Sequence, residues 1–120
     1  NIIDEAALRA IKPGAILVNT ARGGLVDLGA LEAALRDGRV GAAALDVMSK
    51  EPPDGSWPLL RAYRAREPWL DGRLLLTPHG AWYSEEGRRD LRTKALRTVL
   101  DYVREGRLRN CVNEAWLKRS

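Results

Sequence analysis

At 120 residues the chain has material for one small domain that buries only about two thirds of its unfolded surface, which excludes two independent cores. Its single cysteine, Cys111, excludes an internal disulfide and a multi-cysteine metal site, and its single histidine, His79, excludes a histidine-based zinc site; no metal is expected, and a reducing, cytoplasmic setting is the default. The net charge of +4 is uneven, with six basic and eight acidic side chains in residues 1–60 against fourteen and eight in residues 61–120, but the basic residues Arg88, Arg89, Arg92, Lys94, Arg97 and Arg104 are interleaved with Glu85, Glu86, Asp90, Asp101 and Glu105 as on a solvated helix face, so nucleic acid is not an expected partner.

No run approaches the ~20 apolar residues of a membrane helix, and Asn1-Ile2-Ile3-Asp4-Glu5 lacks the basic start and apolar centre of a signal peptide, so no membrane partner is expected. The chain begins without methionine on what reads as an amphipathic helix turn, which suggests a piece of something longer. Ile3–Ile11 reads as the end of a helix, with Ala6, Ala7, Leu8 and Ile11 available to one face and Lys12-Pro13-Gly14 as its exit. Ala15–Val18 is a short continuous apolar run, which suits a parallel strand covered on both faces. Asp27 can cap a helix from Leu28 to Arg36 whose stripe is Leu28, Leu31 and Leu35, and Asp37-Gly38 stops it.

Gly41–Val47 reads as the second strand, its small side chains leaving room for close helix packing. Pro52, Pro53, Gly55 and Pro58 break the periodicity, so residues 56–72 read as a long loop with one helical turn around Leu59–Arg64. Leu74–Thr77 is the third strand, closed by Pro78. Ser84, followed by Glu85 and Glu86, caps a long helix to about Arg104 that Gly106 ends, and the tail from Leu108 to Ser120 carries Val112, Trp116 and Leu117, which need a surface to cover them. The order of elements implies right-handed crossovers and a three-stranded parallel sheet, too little sheet to stand comfortably alone, so further strands are expected upstream of Asn1.

Chemistry collects at three strand ends. The run Asn19-Thr20-Ala21-Arg22-Gly23-Gly24-Leu25-Val26-Asp27 puts a lone arginine on a glycine-rich turn between a strand and a helix. Asp46 with Glu51 follows the second strand, and His79 with Trp82 follows the third. One cation, one acid and one base at neighbouring strand ends compose a candidate site, because open α/β sheets bind ligands outside the carboxyl ends of their strands.

Lys12–Asp27, then Ala42-Ala43-Ala44-Leu45-Asp46-Val47 with Glu51-Pro52-Pro53, then Leu76-Thr77-Pro78-His79, resemble in order and spacing the D-isomer-specific 2-hydroxyacid dehydrogenases, over nearly the whole chain. Thr77–Glu85 and Arg109–Val112-Asn113 are similar to the endings of the carboxy-terminal-binding proteins within that family, which typically carry alanine where Gly80 stands. The resemblance implies an α/β fold, the C-terminal half of a doubly wound Rossmann-type sheet of about three strands with a long C-terminal helix. Residues 1–83 would be the half of the NAD-binding domain that cradles nicotinamide, and residues 84–120 a helix and tail returning toward a substrate domain. No Gly-x-Gly-x-x-Gly turn and following acidic residue occur, so the pyrophosphate half lies outside this sequence, and the fragment alone should not turn over.

The resemblance also implies roles. His79 would exchange a proton with the substrate oxygen, Glu51 would pair with the imidazole and set which nitrogen faces substrate, and Arg22 would grip carboxylate and carbonyl oxygens with its two-pronged guanidinium. Thr20, Ala21, Arg22, Asp46, His79 and Gly80 would contact NAD, with NADP left open. Asp46 would accept from the nicotinamide carboxamide, though a strand-end aspartate is otherwise a turn or cap residue. Gly23 and Gly24 would let the backbone bend close to the cofactor, or simply make a tight turn. Trp82 would wall the substrate pocket and favour bulky or apolar tails. The implied activity is NAD-dependent hydride transfer to or from a 2-hydroxy or 2-keto acid in a homodimer; the alternative is an NAD(H)-sensing scaffold or co-repressor of the carboxy-terminal-binding-protein type. A chain without the substrate domain should expose Tyr102, Val112 and Trp116 and self-associate.

Overall fold

A computed structural model describes residues 1–117; Lys118–Ser120 and the Leu117 side chain, which the predicted tail includes, lie outside the described residues. The chain forms two compact units, Asn1–Ala81 and a second from Trp82 onward.

The first unit runs α1 (Glu5–Ala10), β1 (Ala15–Asn19), a 3₁₀ turn (Gly23–Leu25), α2 (Leu28–Arg36), β2 (Val40–Leu45), α3 (Pro58–Arg64), a second 3₁₀ turn (Pro68–Leu70) and β3 (Leu74–Leu76). The sheet has three strands and is parallel throughout, as the sequence predicts, and its order is β1-β2-β3. Helix α1 is shorter than the expected Ile3–Ile11. Ile3 is extended and bridges Val26, its carbonyl accepting from Asp27 N–H at 2.9 Å, so the helix starts only after Asp4, whose carboxylate accepts from the Ala7 amide. Asp27 caps α2 as expected, accepting from Ala30 N–H at 2.9 Å. The residues after Ser56 are more ordered than a loop with one turn. Pro58 sits in the first turn of α3, where its missing N–H costs nothing, and Leu59, Leu60, Ala62 and Leu70 are buried.

One core serves α1, α2, α3 and a single face of the sheet. Leu8, Leu28, Leu31, Leu35 and Leu59 pack with the row Leu17, Ala43 and Leu74 that the parallel register aligns. The opposite row contradicts the two-sided cover expected of β1: Ile16, Val18 and Leu75 are 72%, 65% and 57% exposed. An unbroken apolar run satisfies either arrangement, and the three helices of this unit all contribute to the one core. Arg73 ties the edges of that core together, its guanidinium donating to the carbonyls of Leu35, Val40, Gly41 and Trp69 at 2.7–3.0 Å.

In the second unit Ser84 caps α4 (Glu85–Glu105) by accepting from Gly87 N–H, and Gly106, at φ 63°, ends it in the left-handed conformation that glycine adopts cheaply. No residue of α4 is buried, and a short α5 (Glu114–Leu117) follows. Tyr102, Val112 and Trp116 are exposed, as expected. Among the described residues no helix is long and apolar enough to cross a membrane, and no cluster of three or more His, Cys, Asp or Glu side chains is grouped to hold a metal.

Candidate active site

The turn after β1 is organised by Asn19. Its side chain is buried, its Nδ2 donates to the Arg22 carbonyl at 2.9 Å, and its Oδ1 accepts from Ala21 N–H at 3.1 Å. This local amide-to-backbone bonding bends the chain sharply through Thr20 and Ala21. Arg22 leaves the turn exposed. Among the described residues its guanidinium makes one hydrogen bond, to the Ala21 carbonyl at 2.6 Å, while its charge acts on Glu51 through space. Gly23 is buried because the turn presses on the loop after β2: a Cβ there would stand 1.9 Å from the Met48 carbonyl carbon. At Gly23 the tight turn is a close contact between two loops; at Gly24 a Cβ would meet nothing within 4 Å.

Asp46, directly beyond β2, organises the turn after β3. Its Oδ1 accepts from the Thr77 hydroxyl at 2.5 Å and from Gly80 N–H at 2.9 Å, and its Oδ2 accepts from Ala81 N–H at 2.9 Å. The Thr77 hydroxyl foremost, then the Ala81 amide, hold its carboxyl below the usual 3.8. A carboxylate offers about four acceptor positions, and the turn takes three of them. Asp46 thus fills the turn role open to a strand-end aspartate.

That turn seats His79 at φ 53°, a conformation costing a non-glycine residue roughly 1–2 kcal/mol, offset here by its N–H donating to the Asp46 carbonyl at 2.8 Å. Its ring lies against Glu51, Nδ1 to Oε2 at 2.7 Å, while Glu51 Oε1 accepts from Met48 N–H at 2.7 Å. The Met48 amide first, then the hydrogen bond from His79, lower the Glu51 carboxyl from its usual 4.5. The carboxylate engages Nδ1 and so fixes the orientation of the imidazole ring.

Two hollows meet at Asp46 and Thr77. One, of about 490 Å³, is lined by Val18, Thr20, Ala44, Leu75, Gly80 and Ala81 and lies at the carboxyl end of the bare sheet face. The other, of about 480 Å³, is lined by Met48, Glu51, Leu60, Tyr63, Leu76 and His79 among others. Thr20, Asp46 and Gly80 thus come together in the first hollow, and Glu51 and His79 in the second; Ala21 and Arg22 line neither. Trp82 opens the second unit, exposed and edge-on to Tyr83 with ring centroids 5.4 Å apart.

Asn19, Thr77 and the Met48 amide hold the three turns in place, through bonds to the Arg22 carbonyl and Ala21 amide, to Asp46 and to Glu51. For the first two a signal was present in the sequence. An asparagine opening a turn bonds backbone two residues on, and the parallel pair Leu45–Leu76 makes Asp46 and Thr77 the next neighbours in register.

The sequence pattern described as "D-isomer specific 2-hydroxyacid dehydrogenase, NAD binding domain" matches residues 1–81. Glycerate dehydrogenase of Methylorubrum extorquens is 41% identical over 103 residues, covering 86% of this chain and 31% of that protein. Among solved structures, a D-isomer specific 2-hydroxyacid dehydrogenase from Lactobacillus delbrueckii ssp. bulgaricus in its NAD-complexed form is similar at TM-score 0.71 and 35% identity, over 93% of this chain and 35% of that one. Another, from Xanthobacter autotrophicus Py2 in complex with NADPH and MES, is similar at TM-score 0.68 and 32% identity, over 91% of this chain and 40% of that one. The chain spans about a third of the length of the curated relatives it matches.

Proposed function

The chain belongs to the D-isomer-specific 2-hydroxyacid dehydrogenases, with the Rossmann-type fold of their NAD-binding domain, and from that premise we propose that it supplies the nicotinamide half of a site for hydride transfer between a 2-hydroxy acid and NAD. The observation that carries the reading is the 2.7 Å Glu51–His79 pair beside an open hollow at the strand ends. A nicotinamide ring fits that hollow chemically: Val18, Ala44 and Leu75 offer an apolar floor, and Asp46 keeps one acceptor for a carboxamide N–H. The nicotinamide, when bound, supplies the hydride acceptor or donor.

The chain's own residues do the rest. In the oxidising direction His79 Nε2 takes the hydroxyl proton as C2 loses hydride, and in reduction it returns that proton to the carbonyl oxygen. Glu51 holds the ring through Nδ1 and stabilises the imidazolium formed. Arg22 binds the substrate carboxylate, which a planar guanidinium meets with two parallel bonds. Thr20, Ala21 and Gly80 line the cofactor ring, and Trp82 walls the substrate tail. Residues 1–83 serve as the cofactor half and residues 84–120 as the return toward a substrate domain. The whole protein is read as a cytoplasmic homodimer acting on a small 2-hydroxy or 2-keto acid, with NAD or NADP; the NADPH-bound relative supports keeping both.

The test is NADH oxidation by the whole protein across a panel of 2-keto acids. His79→Ala and Arg22→Ala should each lose about 10²–10⁴-fold in turnover while staying folded. Retained turnover in both refutes the roles. NADH-induced change of oligomeric mass without turnover of any substrate would favour the sensing scaffold, whereas the relatives above are dehydrogenases.

A further inference from the structure

We propose that Asn19 is a positioning residue, holding the backbone from which Arg22 projects so that its guanidinium meets the substrate carboxylate. The inference rests on the reading of Arg22 above. Asn19 ends β1 at 6% exposure, a place where a neighbouring core position takes leucine. Burying a primary amide is costly unless its donors and acceptor are matched. Here both ends are matched by one turn: Nδ2 gives its hydrogen to the Arg22 carbonyl at 2.9 Å and Oδ1 receives one from Ala21 N–H at 3.1 Å. The Asn19 carbonyl also accepts from Asp46 N–H at 2.9 Å, so the braced turn is locked to the strand end that carries the His79 turn.

Arg22 itself has extended backbone, φ −152° and ψ 138°, and among the described residues its guanidinium is tethered only to the carbonyl of the preceding residue at 2.6 Å. That tether does not fix the direction of its Cα–Cβ bond; the backbone does, held at the Arg22 carbonyl by the Asn19 amide and by the Leu25 N–H at 3.1 Å. A guanidinium lies several bonds from its Cα, so a small rotation of an unbraced turn displaces it by about an ångström, and misplacement on that scale costs about 100-fold in rate.

The experiment is a double-mutant cycle on the whole protein with Asn19→Ala, Arg22→Ala and the pair, read as kcat and KM for a 2-keto acid with NADH, alongside hydrogen exchange at the Ala21 amide by NMR. Asn19→Ala should lower kcat/KM by about 100-fold. Adding it to Arg22→Ala should cost less than about twofold more, because both changes remove one function. The Ala21 amide should exchange faster in the variant. Should Asn19→Ala fail to fold, the isosteric Asn19→Asp retains the acceptor for Ala21 N–H, loses the amide donor to the Arg22 carbonyl, and should fall about tenfold. Additive losses in the cycle, or an Asn19 variant as active as wild type, overturn the proposal. If the wild type turns over no 2-keto acid, the functional reading fails separately, and the Ala21 amide still decides: protection lost on substitution supports the brace, and no protection in wild type overturns it.

Discussion

Replacing Gly23 by alanine tests whether the three strand-end loops form one mechanical unit. The added Cβ would lie 1.9 Å from the Met48 carbonyl carbon, 2.2 Å from its oxygen and 2.2 Å from Ser49 N. Carbon contacts settle near 3.5 Å, so the Met48–Ser49 peptide must retreat by roughly 1.5 Å. Backbone on both sides makes that a costly move, at about 1–3 kcal/mol for overpacking of this kind, or a Tm lowered by several degrees. The same movement carries away the Met48 amide that donates to Glu51 Oε1 at 2.7 Å, and Glu51 is what orients His79. Turnover of the folded variant should therefore fall about 100-fold, the scale of an ångström's misplacement. Gly24→Ala is the matched control, since its Cβ meets nothing within 4 Å, and should change stability by less than about 0.5 kcal/mol. Thermal denaturation and steady-state kinetics of both variants decide it. Equal behaviour of the two alanines would refute the coupling between Gly23 and the Glu51–His79 pair.

Thr77→Val keeps the shape of the side chain and removes the hydroxyl that donates to Asp46, so the Gly80–Ala81 turn should loosen and NADH affinity fall roughly three- to tenfold; an unchanged Kd in a fluorescence titration would contradict this. Acid should destabilise the protein in a defined window. Asp46 and Glu51 are held below their usual 3.8 and 4.5, and Asp54, bonded first by Lys50, falls to about 2. Groups whose folded pKa is depressed stabilise fully above their unfolded values, so urea midpoints should be flat above about pH 5 and decline from there toward pH 2, with Asp46→Asn flattening that limb. Leu75→Ser on the bare sheet face should reduce self-association of the 120-residue chain at tens of micromolar, seen by light scattering; an unchanged mass distribution would place the contact elsewhere, on the exposed α4 for example.

The parallel strands and the Asp27 and Ser84 caps were legible because each follows from local pattern, apolar runs and capping residues, whereas the pairing of His79 with Glu51 was legible through the family resemblance of the strand-end motifs. What eluded the sequence was long-range. Ala15–Val18 shows no period that distinguishes one covered face from two, so the exposure of Ile16 and Val18 depends on where α1–α3 pack. Ile3 lies within a helical pattern yet pairs with Val26, a partner 23 residues away that overrides its propensity. A turn role for Asp46 is legible from its strand-end position, but its three donors, Thr77, Gly80 and Ala81, follow the next strand and become identifiable only once β2 and β3 are in register.

The central claim is that the Glu51–His79 pair exchanges the proton that accompanies hydride transfer at C2. The most direct measurement is chiral analysis of the 2-hydroxy acid formed by the whole protein from a 2-keto acid and NADH, in wild type and in folded His79→Ala. One D-hydroxy acid per NADH oxidised, nearly abolished in the variant, is the predicted result. Formation of the L-isomer, or the same rate without the imidazole, would contradict it.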